Sequence, residues 1–85
     1  MKVQFTQEAW KDFEWFLDKD KRMVKRIREL LKDILRHPEE GIGKPERLRF
    51  QLADCWSRRI NKEHRLVYQI EKDAITVISC RYHYE

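Results

Sequence analysis

Apolar residues first recur at helical spacing between Trp10 and Leu17, where Trp10, Phe13, Phe16 and Leu17 fall on one side of a helix. Thr6 stands where an N-cap hydroxyl is needed, and Glu8 lies near the positive end of the helix that follows. Met1 to Phe5 reads as a short extended segment ahead of it. Asp18 to Asp20 interrupts the pattern. A second stripe then runs through Met23, Val24, Ile27, Leu30, Leu31, Ile34 and Leu35, until His37-Pro38 stops it. Two helices joined by so short a connection are expected to pack as an antiparallel pair.

Two glycines and two prolines fall between Pro38 and Pro45, which marks a turn-rich loop. Beyond it the period changes to two. Leu48/Phe50/Leu52, Trp56/Ile60, Leu66/Tyr68/Ile70 and either Ile75/Val77 or Thr76/Ile78 read as strands. Ala53-Asp54, Asn61 to Glu63 and Glu71 to Asp73 separate them. The expected fold is α+β: a strand, two helices, then an antiparallel meander against which the helices pack.

Length and charge narrow this picture. Eighty-five residues without a Gly/Ser/Pro-rich linker leave room for a single domain spanning 1–85. Ten aromatic residues, three of them Trp, supply apolar area for a small core, although 40% of the chain is charged. Lys and Arg outnumber Asp and Glu by 19 to 15, a net charge of +4 that favours an anionic partner such as nucleic acid or an acidic protein. Cys55 and Cys80 lack a second Cys or a His at ligand spacing, so they read as reduced, packed thiols and not as a zinc site or disulfide framework. No apolar run is long enough to cross a bilayer, and the first residues do not form a signal-peptide core. A soluble, cytoplasmic protein is expected.

Chemistry concentrates in the second half. Arg49, Arg58, Arg59, Arg65 and Arg81 lie among strand-forming residues, where exposed guanidinium groups can hold phosphates in bidentate fashion. The same arginines would equally suit a solvated surface, with their stems laid over aromatic rings. RNA carries its own nucleophile in the 2′-hydroxyl. Cleavage without metal therefore needs only a base for that proton, an acid for the leaving 5′-oxygen and a cation for the crowded phosphate.

His83, in Arg81-Tyr82-His83-Tyr84, can donate a proton near neutral pH, while Tyr84 can stack on a base; alone, a tail histidine is usually inert. Glu46 follows the Gly43-Lys44-Pro45 turn, where a loop can aim a carboxylate at a ligand, although a solvated charge is the ordinary reading. Alternation puts Arg65 opposite the Leu66/Tyr68 face, away from the core. His37 suits a helix C-terminus, and His64 shares parity with Leu66 and Tyr68, so both read as structural. No GxxxxGK[ST], HExxH or GxSxG pattern occurs, which weighs against nucleotide hydrolysis, zinc proteolysis and serine esterase chemistry.

Gly41-Ile42-Gly43-Lys44-Pro45-Glu46, Trp56-Ser57-Arg58-Arg59-Ile60, Glu63-His64-Arg65-Leu66-Val67-Tyr68 and Cys80-Arg81-Tyr82-His83-Tyr84 together resemble YoeB toxins of the RelE/ParE superfamily in order and spacing, over nearly the whole chain. The resemblance implies a RelE-like, microbial-RNase-like fold and a ribosome-dependent messenger RNA endonuclease that uses no cofactor or metal. Glu46 would be the general base, His83 the general acid and Arg65 the stabiliser of the phosphorane-like transition state. Arg59, Arg49 and Tyr84 would grip the messenger in the ribosomal A site. Arg49 stands where the family has a lysine, keeping charge but not geometry, and Glu85 follows the usual His-Tyr end. Implied partners are a YefM-like antitoxin whose disordered C-terminal segment folds onto the toxin, the ribosome with its messenger, operator DNA only through the antitoxin complex, and a second copy in a homodimer. Competing functions are a ParE-like toxin that binds DNA gyrase without nuclease chemistry, a passive RNA-binding module, and a domain that only binds a protein partner.

Overall fold

The structure, a computed structural model, describes residues 1–82. Strand β1 (Lys2–Phe5) leads directly into helix α1 (Gln7–Lys19). The Thr6 hydroxyl accepts the N–H of Ala9 at 3.1 Å, capping the helix as its position in the sequence suggests. Asp20 serves both helices. Its N–H donates to the Phe16 carbonyl at the end of α1, while its side chain accepts the N–H of Arg22 to cap α2 (Lys21–Arg36). His37 closes α2 by donating its N–H to Asp33, and Pro38 prevents continuation.

The sheet has the order β1-β5-β4-β3-β2, with β2 (Glu46–Arg47), β3 (Cys55–Arg59), β4 (Arg65–Ile70) and β5 (Ala74–Ser79). Strands β2 to β5 pair antiparallel in sequence order, the expected meander. The N-terminal strand joins the far edge parallel to β5, Lys2 opposite Ala74 and Phe5 opposite Val77, which makes the sheet mixed. One expected strand is corrected. Leu48/Phe50/Leu52 does not form a strand: pairing stops at Arg47, and Phe50–Leu52 turns as a short 3-10 helix. Phe50 adopts φ +59° and is 87% exposed, so the apparent alternation there buries nothing at its centre.

The core lies between the helix pair and one face of the sheet. Phe16, Ile27, Leu30 and Ile34 from the helices meet Ile60, Leu66, Tyr68, Ile75 and Val77 from the sheet, with Trp56 packed against them. Full burial of an aliphatic side chain of this size contributes about 1.5–3 kcal/mol. Trp10, Leu17 and Leu35, also on the predicted stripes, are substantially exposed, because each sits at the margin of its helix's buried face. With Trp56, Ile60, Leu66 and Tyr68 facing the helices, alternation turns Ser57, Arg59, Arg65 and Val67 to the opposite face. Among the described residues no helix is long and apolar enough to cross a membrane.

Candidate active site

The helix-free face of β2, β3 and β4 gathers three of the residues singled out in the sequence. Glu46 pairs with Ser57 across β2 and β3, and Arg59 pairs with Arg65 across β3 and β4. Directly paired residues share a face, so Glu46, Ser57, Arg59 and Arg65 lie together. The Glu46 carboxylate is 3.6 Å from the Arg65 guanidinium. The two side chains differ in access: that of Glu46 is 60% exposed, that of Arg65 only 12%. Arg65 therefore points from the core as expected but is largely enclosed, not open to water. Its Nε has no hydrogen-bond partner among the described residues.

Arg59 opposite Arg65 is a like-charge cross-strand pair, an arrangement that disfavours pairing unless an anion sits between the groups. Arg59 is exposed, as is Arg49, which stands in extended conformation just before the 3-10 turn. Ser57, buried between these charges with its hydroxyl unpartnered among the described residues, was not anticipated from sequence. Its position in alternation with Arg59 was the available signal. His83 and Tyr84 lie outside the described residues.

Arg58 requires a correction. Expected at an exposed position, whether holding phosphate or on a solvated surface, it is fully buried. Its Nη1 donates to Asp33 at 2.6 Å and to the Ile42 carbonyl, and its Nη2 donates to the carbonyls of His37 and Glu40. Its Nε donates to the Tyr68 hydroxyl, which in turn donates to the Pro38 carbonyl at 2.7 Å. One guanidinium thus binds α2, the 38–45 loop and β4, and fixes the loop that delivers Glu46. Asp33, held below the usual carboxylate range chiefly by its hydrogen bond from Arg58, also accepts the N–H of Ile42. Gly41, at φ +121°, is required by this arrangement, since a Cβ there would lie 2.0 Å from the Asp33 carboxylate. The Gly43 carbonyl accepts the Arg59 N–H at 2.7 Å, completing the attachment of the loop to β3.

Arg81 is likewise no free cation, for its guanidinium lies over the Trp15 ring at 3.7 Å. The chain just before it is fixed to α1: the Cys80 N–H donates to Asp12, whose carboxyl burial pushes upward in pKa, and the buried Cys80 thiol sits against the Ala9 carbonyl. His64 is buried and His37 ends α2, the packed and helix-end places expected of them. Cys55 and Cys80 are free, buried thiols.

The family model for the YoeB-like toxin of bacterial type II toxin-antitoxin systems matches residues 5–84. The chain is 53% identical over 85 residues to a toxin YoeB of Synechocystis, covering all of this chain and 99% of that one. It superposes on the YoeB dimer structure from Staphylococcus aureus with TM-score 0.93 at 49% identity, covering 99% of this chain and 98% of that one. It likewise superposes on the toxin in a heterotetrameric YoeB-YefM complex of the same organism, with TM-score 0.90 at 51% identity, covering 96% and 95% of the two chains. The chain belongs to the YoeB-like toxins of bacterial type II toxin-antitoxin systems.

Proposed function

We propose that this toxin is a ribosome-dependent endoribonuclease that cuts messenger RNA in the A site by metal-independent attack of the 2′-hydroxyl. The observation that carries the reading is the grouping of Glu46, Arg59 and Arg65 on one sheet face, with Glu46 3.6 Å from Arg65. Glu46, the accessible member, takes the 2′-hydroxyl proton. The 2′-oxygen attacks the adjacent phosphorus, the bond to the 5′-oxygen breaks, and the products are a 2′,3′-cyclic phosphate and a free 5′-hydroxyl. Arg65, aimed from a nearly enclosed position, stabilises the extra charge on the phosphorane-like centre. His83 supplies the proton to the leaving 5′-oxygen. Arg59 and Arg49 hold flanking phosphates, and Tyr84 stacks on a base.

The antitoxin partner is a YefM-like protein, by similarity to the solved YoeB-YefM complex, and the net charge of +4 suits an acidic wrapping segment. A second copy is a further partner, by similarity to the solved YoeB dimer. The test is cleavage by purified protein on programmed ribosomes, with the new ends mapped, against Glu46→Gln. A ribosome-dependent cut in the A-site codon, slowed about 100-fold or more in the variant, supports the reading. An intact messenger with native protein would overturn it in favour of a toxin that acts by binding alone.

A further inference from the structure

The chain that runs into His83 is gripped by a histidine that the reaction above does not use. His64 sits at the start of β4, in a turn fixed by Asn61, whose side-chain oxygen accepts the N–H of both Glu63 and His64. The His64 ring is buried, edge-on to Phe16 at 5.0 Å between centroids and tilted on Tyr82 at 5.3 Å. Its Nε2 lies 2.8 Å from the Glu63 carboxylate, so that nitrogen carries a proton. Its Nδ1 accepts the Tyr82 N–H at 2.8 Å, a role open only to an unprotonated nitrogen. Glu63 thereby selects the tautomer that Tyr82 requires.

Tyr82 has φ +66°, a conformation that a non-glycine residue keeps only when its surroundings hold it. Both of its backbone polar groups are engaged: the N–H by the His64 ring, the carbonyl by the Arg65 N–H at 3.1 Å. The residue immediately before His83 is therefore pinned to the strand end that carries Arg65. We propose that His64 is a positioning residue for the reaction, its Nδ1 lone pair locking Tyr82, whose carbonyl in turn holds the backbone of Arg65 at the start of β4. This rests on the nuclease reading given above.

The test compares His64→Phe, which keeps a ring against Phe16 but removes the acceptor, with His64→Asn, whose amide oxygen falls near the place of Nδ1. Three quantities are measured: hydrogen exchange at the Tyr82 amide, kcat and KM on programmed ribosomes, and the thermal midpoint. In the Phe variant the Tyr82 amide is expected to exchange about tenfold faster or more. Its kcat is expected to fall about 100-fold, the loss a displacement of about 1 Å brings, with KM unchanged within about threefold. The Asn variant is expected to recover both. The proposal is overturned if the Phe variant cleaves as fast as the native protein, or if both variants lose activity only in step with a lowered thermal midpoint. If the native chain cuts no messenger, the nuclease reading fails and the catalytic purpose of the clamp with it. Tyr82 exchange in the two variants still decides whether the contact itself exists.

Discussion

Glu46 and Arg65 stand 3.6 Å apart across the helix-free face, the carboxylate largely open to solvent and the guanidinium largely closed off. In the free protein the cation that would meet phosphate is already facing an anion. In the proposed reaction a substrate phosphate would displace that contact, and in doing so would release the carboxylate to act as a base. Removing Glu46 consequently separates binding from chemistry. Glu46→Ala is expected to slow messenger cleavage about 100- to 10,000-fold. Affinity for programmed ribosomes should stay level or tighten up to about fivefold, because a partly exposed pair contributes only about 0–1 kcal/mol. Single-turnover cleavage alongside equilibrium binding checks both, and binding weakened in parallel with cleavage would contradict the arrangement.

The buried Arg58 contacts make a claim about stability. Arg58→Met takes the guanidinium donors from the Asp33 carboxylate, the Tyr68 hydroxyl and the carbonyls of His37, Glu40 and Ile42, and is expected to cost about 3–5 kcal/mol in urea unfolding. A loss under about 1 kcal/mol would mean the network is dispensable.

The same ion pair gives the protein an acid limit. Arg58 lowers the Asp33 pKa in the folded state, so its stabilisation is present above the unfolded value, near pH 4, and disappears as pH falls through the folded value. Thermal midpoints of the native chain are expected to drop below about pH 4, with a shallower drop in Asp33→Asn. Superimposable pH profiles for the two proteins would remove Asp33 from the explanation.

Cys80 provides the opposite sign. Burial pushes its thiol from 9.0 up to about 12, so the neutral thiol is the form that folding favours. Stability from this group is whole below the unfolded pKa and is lost as pH rises through the folded one. At pH 8 the native thiol is expected to alkylate about 100-fold or more slowly than the unfolded one, read by mass spectrometry after timed iodoacetamide treatment. Equal rates in both states would show that the thiol is reached without unfolding.

Phe50 is held at φ +59° with almost its whole ring in solvent, so its side chain gives little back for the strained backbone. Phe50→Gly is expected to stabilise the fold by about 1 kcal/mol, raising the thermal midpoint by about 4–8 °C. A lowered midpoint would reveal packing of the ring that offsets the strain.

Most of the helices and three of the strands were legible because their apolar residues follow a period that burial enforces. Leu48/Phe50/Leu52 shows where period fails: short alternation does not distinguish a strand from a turn with two half-buried leucines and an outward phenylalanine. Arg58 was misread for a different reason. It shares parity with Trp56 and Ile60, which place that face against the helices, but basic character suggested solvent. The partner that makes its burial tolerable, Asp33, sits between Leu30 and Ile34 on α2, a pairing that depends on tertiary packing and is invisible to local pattern. Glu46 and Arg65 could be singled out by residue type alone. Their proximity could not, since it depends on strand register.

The parallel pairing of β1 with β5 carries a consequence for how the toxin is made. Lys2–Phe5 takes as its partner Ala74–Ser79, a strand made long after it. Such pairing across nearly the full sequence is slow to form because the whole intervening chain must first be ordered. A nascent chain therefore has an unfinished sheet edge, and an unpinned Tyr82, until β5 has emerged. The sheet closes only once β5 has formed, leaving an interval in which a partner already present can meet the chain before this face is assembled.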